Sequence, residues 1–249
     1  MGVGLLWWLP RLARKWISHA DAIFCVSKRH CRILSEALQE LRGKLILLYN
    51  PAPTDFLKES FDIRKKEEEP VLLYTGGDSY IKGFHLVLRL INTFGRSKTR
   101  VKFIFVNSYS VKSINILRNM KSKYSNLDIE VPGRVSRRQL LDIYKRASYF
   151  LFPSIWEEPY GNAVIEAVVA NLVPVVSNVS GVSEILEGTP LERYIFRFDD
   201  FSDFSEKVNL AIKSKDDISI IESSKNIILR KLDYFSAEIP KIFASLAQI

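Results

Sequence analysis

Two glutamates, Glu158 and Glu166, bracket a Pro-Tyr-Gly turn and the start of an apolar helical pattern in the stretch "EEPYGNAVIEAVVANLVPVV". Carboxylates accept hydrogen bonds from hydroxyl groups. A helix N-terminus leaves N–H groups free and carries partial positive charge, so Gly161, Asn162 and Ala163 are placed to hold a diphosphate. The carboxylates would repel that anion and must serve something else. A ligand with a diphosphate centre and a polyol at each end, a nucleotide sugar, satisfies both conditions. Glu158 then faces the sugar and Glu166 the ribose. Plainer accounts exist: Glu158 as a carboxylate favouring the helix dipole, and Glu166 as a buried acid with a paired cation. A glutamate inside "NAVIEAVVA" is costly without a partner, so it calls for one or the other.

Three further loops follow strand patterns and stand out, although the second taken alone reads as a plain turn and cap and the third is notable chiefly because it would lie beside the Glu158 stretch. In "YTGGDSYIKGF" (74–84), Gly76 and Gly77 follow a strand pattern and let backbone approach a ligand, while Lys82 supplies a point charge for phosphate. The stretch is neither a Walker A motif nor a GxGxxG fingerprint, and a Gly-Gly turn beside a surface lysine is common. In "VPGRVSRRQL" (131–140), Gly133 and Arg134 end a strand and Ser136 is a helix N-cap. In "NVSGVSEIL" (178–186), Ser180 and Gly181 form a tight loop and Glu184 opens a short helix.

The elements that must carry these loops alternate along the chain. Strand patterns fall at 22–27, 44–50, 71–75, 101–107, 127–131, 148–154, 172–178 and 194–198. Helical patterns fall at 28–42, near 83–95, 110–123 and 137–147, after Gly161, near 182–187, and through the C-terminal segments. The helix at 83–95 spaces Phe84, Val87, Leu88, Ile91 and Phe94 as one core-facing stripe. The strands are almost wholly apolar, as parallel strands covered on both faces are. This alternation predicts an α/β fold with a doubly wound parallel sheet and right-handed crossovers. Ligands of such sheets sit at the carboxyl ends of the strands, where the unusual loops lie.

The 249 residues suffice for a substantial core, and 47% hydrophobic with 26% charged is a globular composition. Net charge is +8, and residues 1–50 hold eight Lys/Arg against three Asp/Glu, which suits an anionic partner. The plainer account is a solvated, lysine-rich surface. The two cysteines and three scattered histidines form no metal-ligand spacing, and the cysteines fit a reducing, cytoplasmic setting. The opening "GVGLLWWLPRLARKW" is too short to span a bilayer and is broken by Pro10. Its tryptophans among Arg and Lys suit either peripheral contact of residues 1–20 with the cytoplasmic face of a membrane or packing against other protein. The chain has no aromatic–basic RNA motif, so nucleic acid is not an expected partner.

These residues together resemble the nucleotide-binding half of the GT-B fold glycosyltransferases, in particular the retaining family 4 (glycosyl transferases group 1). The resemblance is carried by Glu158-x7-Glu166 within "FPSIWEEPYGNAVIEAVVANLVPVV", Lys82-Gly83, "GRVS" at Gly133–Ser136 and "SGVSE" at Ser180–Glu184. Upstream, "ADAIFCVSKRHCRIL" and "LILLYNPAPTDF" look like the last segments of that family's N-terminal domain. The resemblance implies a Rossmann-like nucleotide-sugar-binding domain at 54–230. It also implies a remnant of the acceptor domain and linker at 1–53, and a C-terminal helix at 231–249 packing back toward the N-terminal part. Strands 22–27 and 44–50 would then be left with unpaired edges.

The activity implied is metal-independent, retaining transfer of a sugar from a UDP- or GDP-linked donor to a glycan, lipid or protein acceptor, with no cofactor beyond the donor. Glu158 and Lys82 are the implied catalytic residues. Glu166, Gly76, Gly77, Gly133, Arg134, Val135, Tyr160, Gly161, Asn162, Ala163 and Gly181 are the implied donor-binding residues, with the 133–135 loop against the base. A partner subunit supplying an N-terminal domain, or a homo-oligomer, is expected to complete the site. The alternative is a nucleotide-sugar-binding module or degenerate transferase half without turnover. Three positions depart from the family pattern: Gly77 stands where an arginine is frequent, Asn171 where a glycine is usual, and Ser180 where a second glycine is common.

Overall fold

The computed structural model describes residues 16–61, 69–214 and 218–246. Residues 1–15, including Trp7 and Trp8, and most of the charged 64–70 stretch lie outside these. The described residues form two parallel sheets. The smaller pairs β1 (Ile23–Cys25) with β2 (Leu45–Leu47) in the register Ile23↔Leu45, Phe24↔Ile46, Cys25↔Leu47. Each strand takes the other as a neighbour on one edge and pairs with no strand of the larger sheet, so the expected open edges remain on the outer sides of the pair.

Between them, α1 (Lys28–Ala37) is shorter than its helical pattern. At Leu38 the backbone leaves helical geometry (φ −130°, ψ 67°), and residues Gln39–Lys44 continue as a 3-10 helix. The tighter turn lets both Leu38 and Leu41 reach the interior, each 2% exposed.

After the short α2 (Thr54–Leu57), strands and helices alternate through the main sheet. They are β3 (Val71–Tyr74), α3 (Phe84–Gly95), β4 (Val101–Val106), α4 (Val111–Lys123), β5 (Leu127–Gly133), α5 (Arg137–Arg146), β6 (Tyr149–Phe152), α6 (Asn162–Val169), β7 (Val173–Ser177), α7 (Ser183–Leu186) and β8 (Ile195–Phe196). The strand order is β5-β4-β3-β6-β7-β8, and every pairing is parallel. The order reverses between β3 and β6, the crevice where doubly wound sheets bind ligands.

Strands β3, β4, β6 and β7 are buried almost throughout, because helices cover both faces. The buried stripe of α3 is Phe84, Leu86, Val87, Leu90, Ile91 and Phe94. It is wider than the spacing suggested, and Leu88 sits at its margin. Helix α5 begins with a full capping box: the Ser136 hydroxyl accepts from the Gln139 N–H, and the Gln139 side chain accepts from the Ser136 N–H. Ser136→Ala is expected to cost about 1 kcal/mol, lowering the melting temperature by roughly 2–4 °C, with Ser136→Asp close to neutral.

Helices α8 (Phe201–Lys213) and α9 (Ile218–Leu246) finish the chain. Helix α9 runs across residue 230 and sets Phe235 edge-on to Tyr49 (4.5 Å between centroids) and Phe243 beside Phe24 (6.0 Å). Asn171, after α6, takes the left-handed conformation (φ 60°) that glycine or asparagine adopts at helix C-termini. Its amide also donates to the Phe61 carbonyl at 2.7 Å, a bond glycine could not make. No helix among the described residues is long and apolar enough to cross a membrane. Trp16 is 74% exposed.

Candidate functional site

The loop after β3 is pinned from several sides. The Tyr74 hydroxyl donates to the Lys82 carbonyl (3.1 Å), while the Ile81 carbonyl accepts from the Ile155 N–H (2.9 Å) and the Ser154 hydroxyl (3.1 Å). These bonds hold the 3-10 turn Tyr80–Lys82 against the loop after β6. Gly83, at φ 78°, packs so tightly there that a Cβ would lie 1.9 Å from the Pro153 carbonyl oxygen. Lys82 is thus presented from a rigid turn at the mouth of the crevice.

The loop after β6 brings Glu158 to meet it: Lys82 Nζ lies 2.6 Å from Glu158 Oε1, with the glutamate side chain only 14% exposed. The Glu158 carbonyl accepts from the Gly181 N–H (2.8 Å). The next carbonyl, of Pro159, accepts from the Ser27 hydroxyl (2.5 Å). A Cβ on Gly181 would lie 2.1 Å from the Pro159 oxygen, so only glycine lets these chains cross. Glu157 pairs instead with Arg29 at 2.7 Å. Glu184 accepts from the first amides of α1, Lys28 (2.6 Å) and Arg29 (3.3 Å), and so docks the N-terminal sheet onto this side of the crevice. Helix α6 then starts at Gly161 (φ 115°) with no side chain capping its amides.

Two cavities follow from this arrangement. The first, about 260 Å³, is walled by Gly76, Lys82, Glu158, Gly161, Asn162 and Ala163 together with Tyr74, Thr75, Asn107, the end of β6 and Ser154. The second, about 280 Å³, is walled by Arg134, Val135, Leu140, Tyr144 and Glu166 together with Thr75, Val106, Asn107 and Ala163. Thr75, Asn107 and Ala163 line both, so the cavities adjoin at the carboxyl ends of β3 and β4. One holds the Lys82–Glu158 pair and an open helix N-terminus; the other holds Glu166 and Arg134 among mostly apolar walls.

Glu166 has the cation that its apolar helix calls for. Arg137 Nη1 lies 3.0 Å from its Oε1, and the Tyr144 hydroxyl lies 3.4 Å from its Oε2. Burial raises the Glu166 pKa, and Arg137 and the Tyr144 hydroxyl oppose that rise.

Four of the expected donor-binding residues line neither cavity. Gly77 (φ 66°) makes the turn that brings the β3 loop against the Ser108 carbonyl. Gly133 (φ 79°) accepts from the Asn107 N–H at 3.0 Å. Tyr160 is buried beside Tyr49, and Gly181 serves the chain crossing described above. For these residues the structure shows backbone or packing work.

Conversely, Asn107, Thr75 and Tyr144 line the cavities without belonging to the expected set. Asn107 stands at φ 110°, a left-handed conformation rare outside glycine, with its side chain donating to the Thr75 carbonyl and accepting from Ser108. The signal for it was an asparagine ending the apolar run "VKFIFVN". The Asn162 side chain accepts from Asn50 (2.9 Å), so the "NPAP" turn also reaches the rim. Among the described residues, no cluster of three or more His, Cys, Asp or Glu could hold a metal ion.

Comparison with known proteins agrees with this architecture. A Salmonella typhimurium lipopolysaccharide 1,2-N-acetylglucosaminetransferase is 26% identical over 194 residues, 75% of this chain and 50% of that protein. The GPI3 subunit of a Saccharomyces cerevisiae phosphatidylinositol N-acetylglucosaminyltransferase is 24% identical over 190 residues, 72% of this chain and 40% of its own. The chain therefore spans half or less of these curated relatives. Anabaena Alr3699/HepE, solved in complex with UDP, superposes with a TM-score of 0.75 at 17% identity, covering 94% of this chain and 67% of its own. A Rickettsia africae glycosyltransferase superposes with the same score at 14% identity, covering 96% and 68%. These likenesses match the parallel six-stranded α/β fold to GT-B glycosyltransferases. Residues 55–228 match the family described as glycosyl transferases group 1, and the chain belongs to that family.

Proposed function

We propose that the two adjoining cavities form the donor site of a retaining, metal-independent family 4 glycosyltransferase. The observation that carries this reading is their chemistry. Lys82 and the uncapped start of α6 open on one cavity, and Glu166 opens on the other, with Thr75, Asn107 and Ala163 between. The first suits a diphosphate and the attached sugar. The second suits a ribose and base, with Glu166 accepting from the ribose hydroxyls and Arg134 and Val135 against the base. A UDP-linked N-acetylglucosamine is the first donor to test, because UDP is the ligand of the Anabaena protein and two relatives are named for that sugar. The same relatives are named for lipopolysaccharide and phosphatidylinositol acceptors, which favours a glycolipid acceptor at a membrane surface and a partner or second copy completing the acceptor side.

In this reading the bond from the anomeric carbon to the diphosphate oxygen breaks while the acceptor hydroxyl oxygen bonds to that carbon on the same face. The acceptor proton passes to the departing diphosphate. Lys82 and the α6 amides meet the charge that develops on the leaving group. Glu158 must give up Lys82 for this to happen. A partly exposed ion pair is worth about 1 kcal/mol or less, so a diphosphate can displace it.

A thermal-shift panel of UDP, GDP, ADP and their sugars tests the reading. A ligand at about a hundred times its Kd adds about 2.7 kcal/mol, expected here as a rise of roughly 5–10 °C. No shift from any of them would sink it. Glu158→Gln is expected to tighten nucleoside diphosphate binding several-fold, by freeing Lys82 and removing a negative charge, while transfer to an acceptor is lost. A nucleotide-sugar-binding module without turnover is the second reading, favoured by Gly77 standing where the family often has arginine. It shares the binding results but shows no transfer before or after the substitution.

A further inference from the structure

We propose that Arg137, anchored by Asp55, is a positioning residue that fixes Glu166 so that the site distinguishes a ribose from a sugar lacking its hydroxyls. The inference rests on the donor reading above and concerns residues outside the cavity wall. Arg137 stands behind Glu166 at the first position of α5, and the second cavity is walled by Glu166 rather than by the arginine. Its Nη1 binds Glu166 Oε1 at 3.0 Å and its Nε pairs with Asp55. The guanidinium also lies 4.6 Å above the Phe56 ring. A second ion pair, Lys145–Glu59 at 2.6 Å, and an edge-on contact of Phe56 with Tyr144 (4.9 Å) fasten α2 and the residues after it to the same helix. Apart from Glu166, Arg137 is thereby held by two groups, the Asp55 carboxylate and the Phe56 ring, neither of which lines the cavity.

Glu166 needs such a partner for two reasons. Its helix is otherwise apolar, and burial favours the protonated acid, which would present a donor where a ribose needs acceptors. An ionised carboxylate offers acceptor sites on both oxygens, enough for two vicinal hydroxyls while Oε1 keeps its bond to Arg137. The other groups facing Glu166 are the Tyr144 hydroxyl from α5 and the Asp55 carboxylate from α2, and Arg134 lines the same cavity. Asp55 acts against ionisation of Glu166 by its charge, so its part here is to hold the guanidinium in place.

The test compares affinities of the unsubstituted chain and its variants for whichever of UDP, GDP or ADP it binds, and for the 2′,3′-dideoxy form of the same diphosphate. The unsubstituted chain is expected to prefer the ribonucleotide by roughly tenfold or more, the scale of hydrogen bonds to a charged group. Arg137→Met keeps the stem over Phe56 and is expected to erase that preference while leaving inorganic pyrophosphate binding unchanged. Arg137→Lys restores part of it, and Asp55→Asn reduces it. If Arg137→Met does not fold, the lysine and Asp55 variants carry the comparison. A folded Arg137→Met chain that still prefers the ribonucleotide overturns the inference and leaves the donor reading standing. An unsubstituted chain that binds no nucleoside diphosphate overturns both.

Discussion

Lys82→Ala is expected to weaken binding of a nucleoside diphosphate by roughly 30- to 150-fold and to leave the corresponding nucleoside bound as before. A charge-assisted contact to phosphate is worth about 2–3 kcal/mol. The substitution also leaves Glu158 without its 2.6 Å partner, as a negative charge beside the incoming anion. Part of the loss is therefore repulsion, and Lys82→Ala combined with Glu158→Gln is expected to bind more tightly than Lys82→Ala alone. Titration calorimetry with the diphosphate and the nucleoside separates these terms. An equal loss for both ligands would mean that Lys82 supports the fold of the site, and no loss would remove the diphosphate from this cavity.

Gly83→Ala is expected to cost at least about 3 kcal/mol, a fall in melting temperature of roughly 6–12 °C. Two effects add. The left-handed backbone at φ 78° costs an alanine roughly 1–2 kcal/mol. The new Cβ would also sit 1.9 Å from the Pro153 oxygen and 2.7 Å from its carbonyl carbon, and backbone must move to relieve that. Gly133→Ala separates the two terms, since Gly133 has φ 79° but a Cβ there would meet no atom within 4 Å. It should cost only about 1 kcal/mol. Gly43→Ala meets neither penalty and is expected to be close to neutral. Melting curves of the three variants check the order, and a Gly133 variant worse than Gly83 would contradict it. Because Gly83 follows Lys82 directly, a Gly83→Ala chain that folds should also lose diphosphate affinity.

The sequence by itself determined the alternation of strands and helices and the position of the unusual loops, those carrying Lys82, Glu158 and the start of α6, after the carboxyl ends of strands. Apolar periodicity records which face of an element is buried, and turn residues record where the chain reverses, so both are local signals. What tertiary structure alone decided is which loops become neighbours. Lys82 meets Glu158 from 76 residues away, Asp55 reaches Arg137 across 82, and Ser27 reaches Pro159 across 132. Asn107 joins both cavities only because β4 lies beside β3 in the sheet. The glycines show the limit most clearly. Gly76 and Gly161 border the first cavity, yet a Cβ on either would also meet the chain's own Tyr74 or Phe152, while Gly77, Gly133 and Gly181 serve turns and a chain crossing. A glycine in the sequence states that backbone needs room or an unusual angle. Whether a ligand or another stretch of the same chain takes that room depends on strand order, which no local pattern encodes.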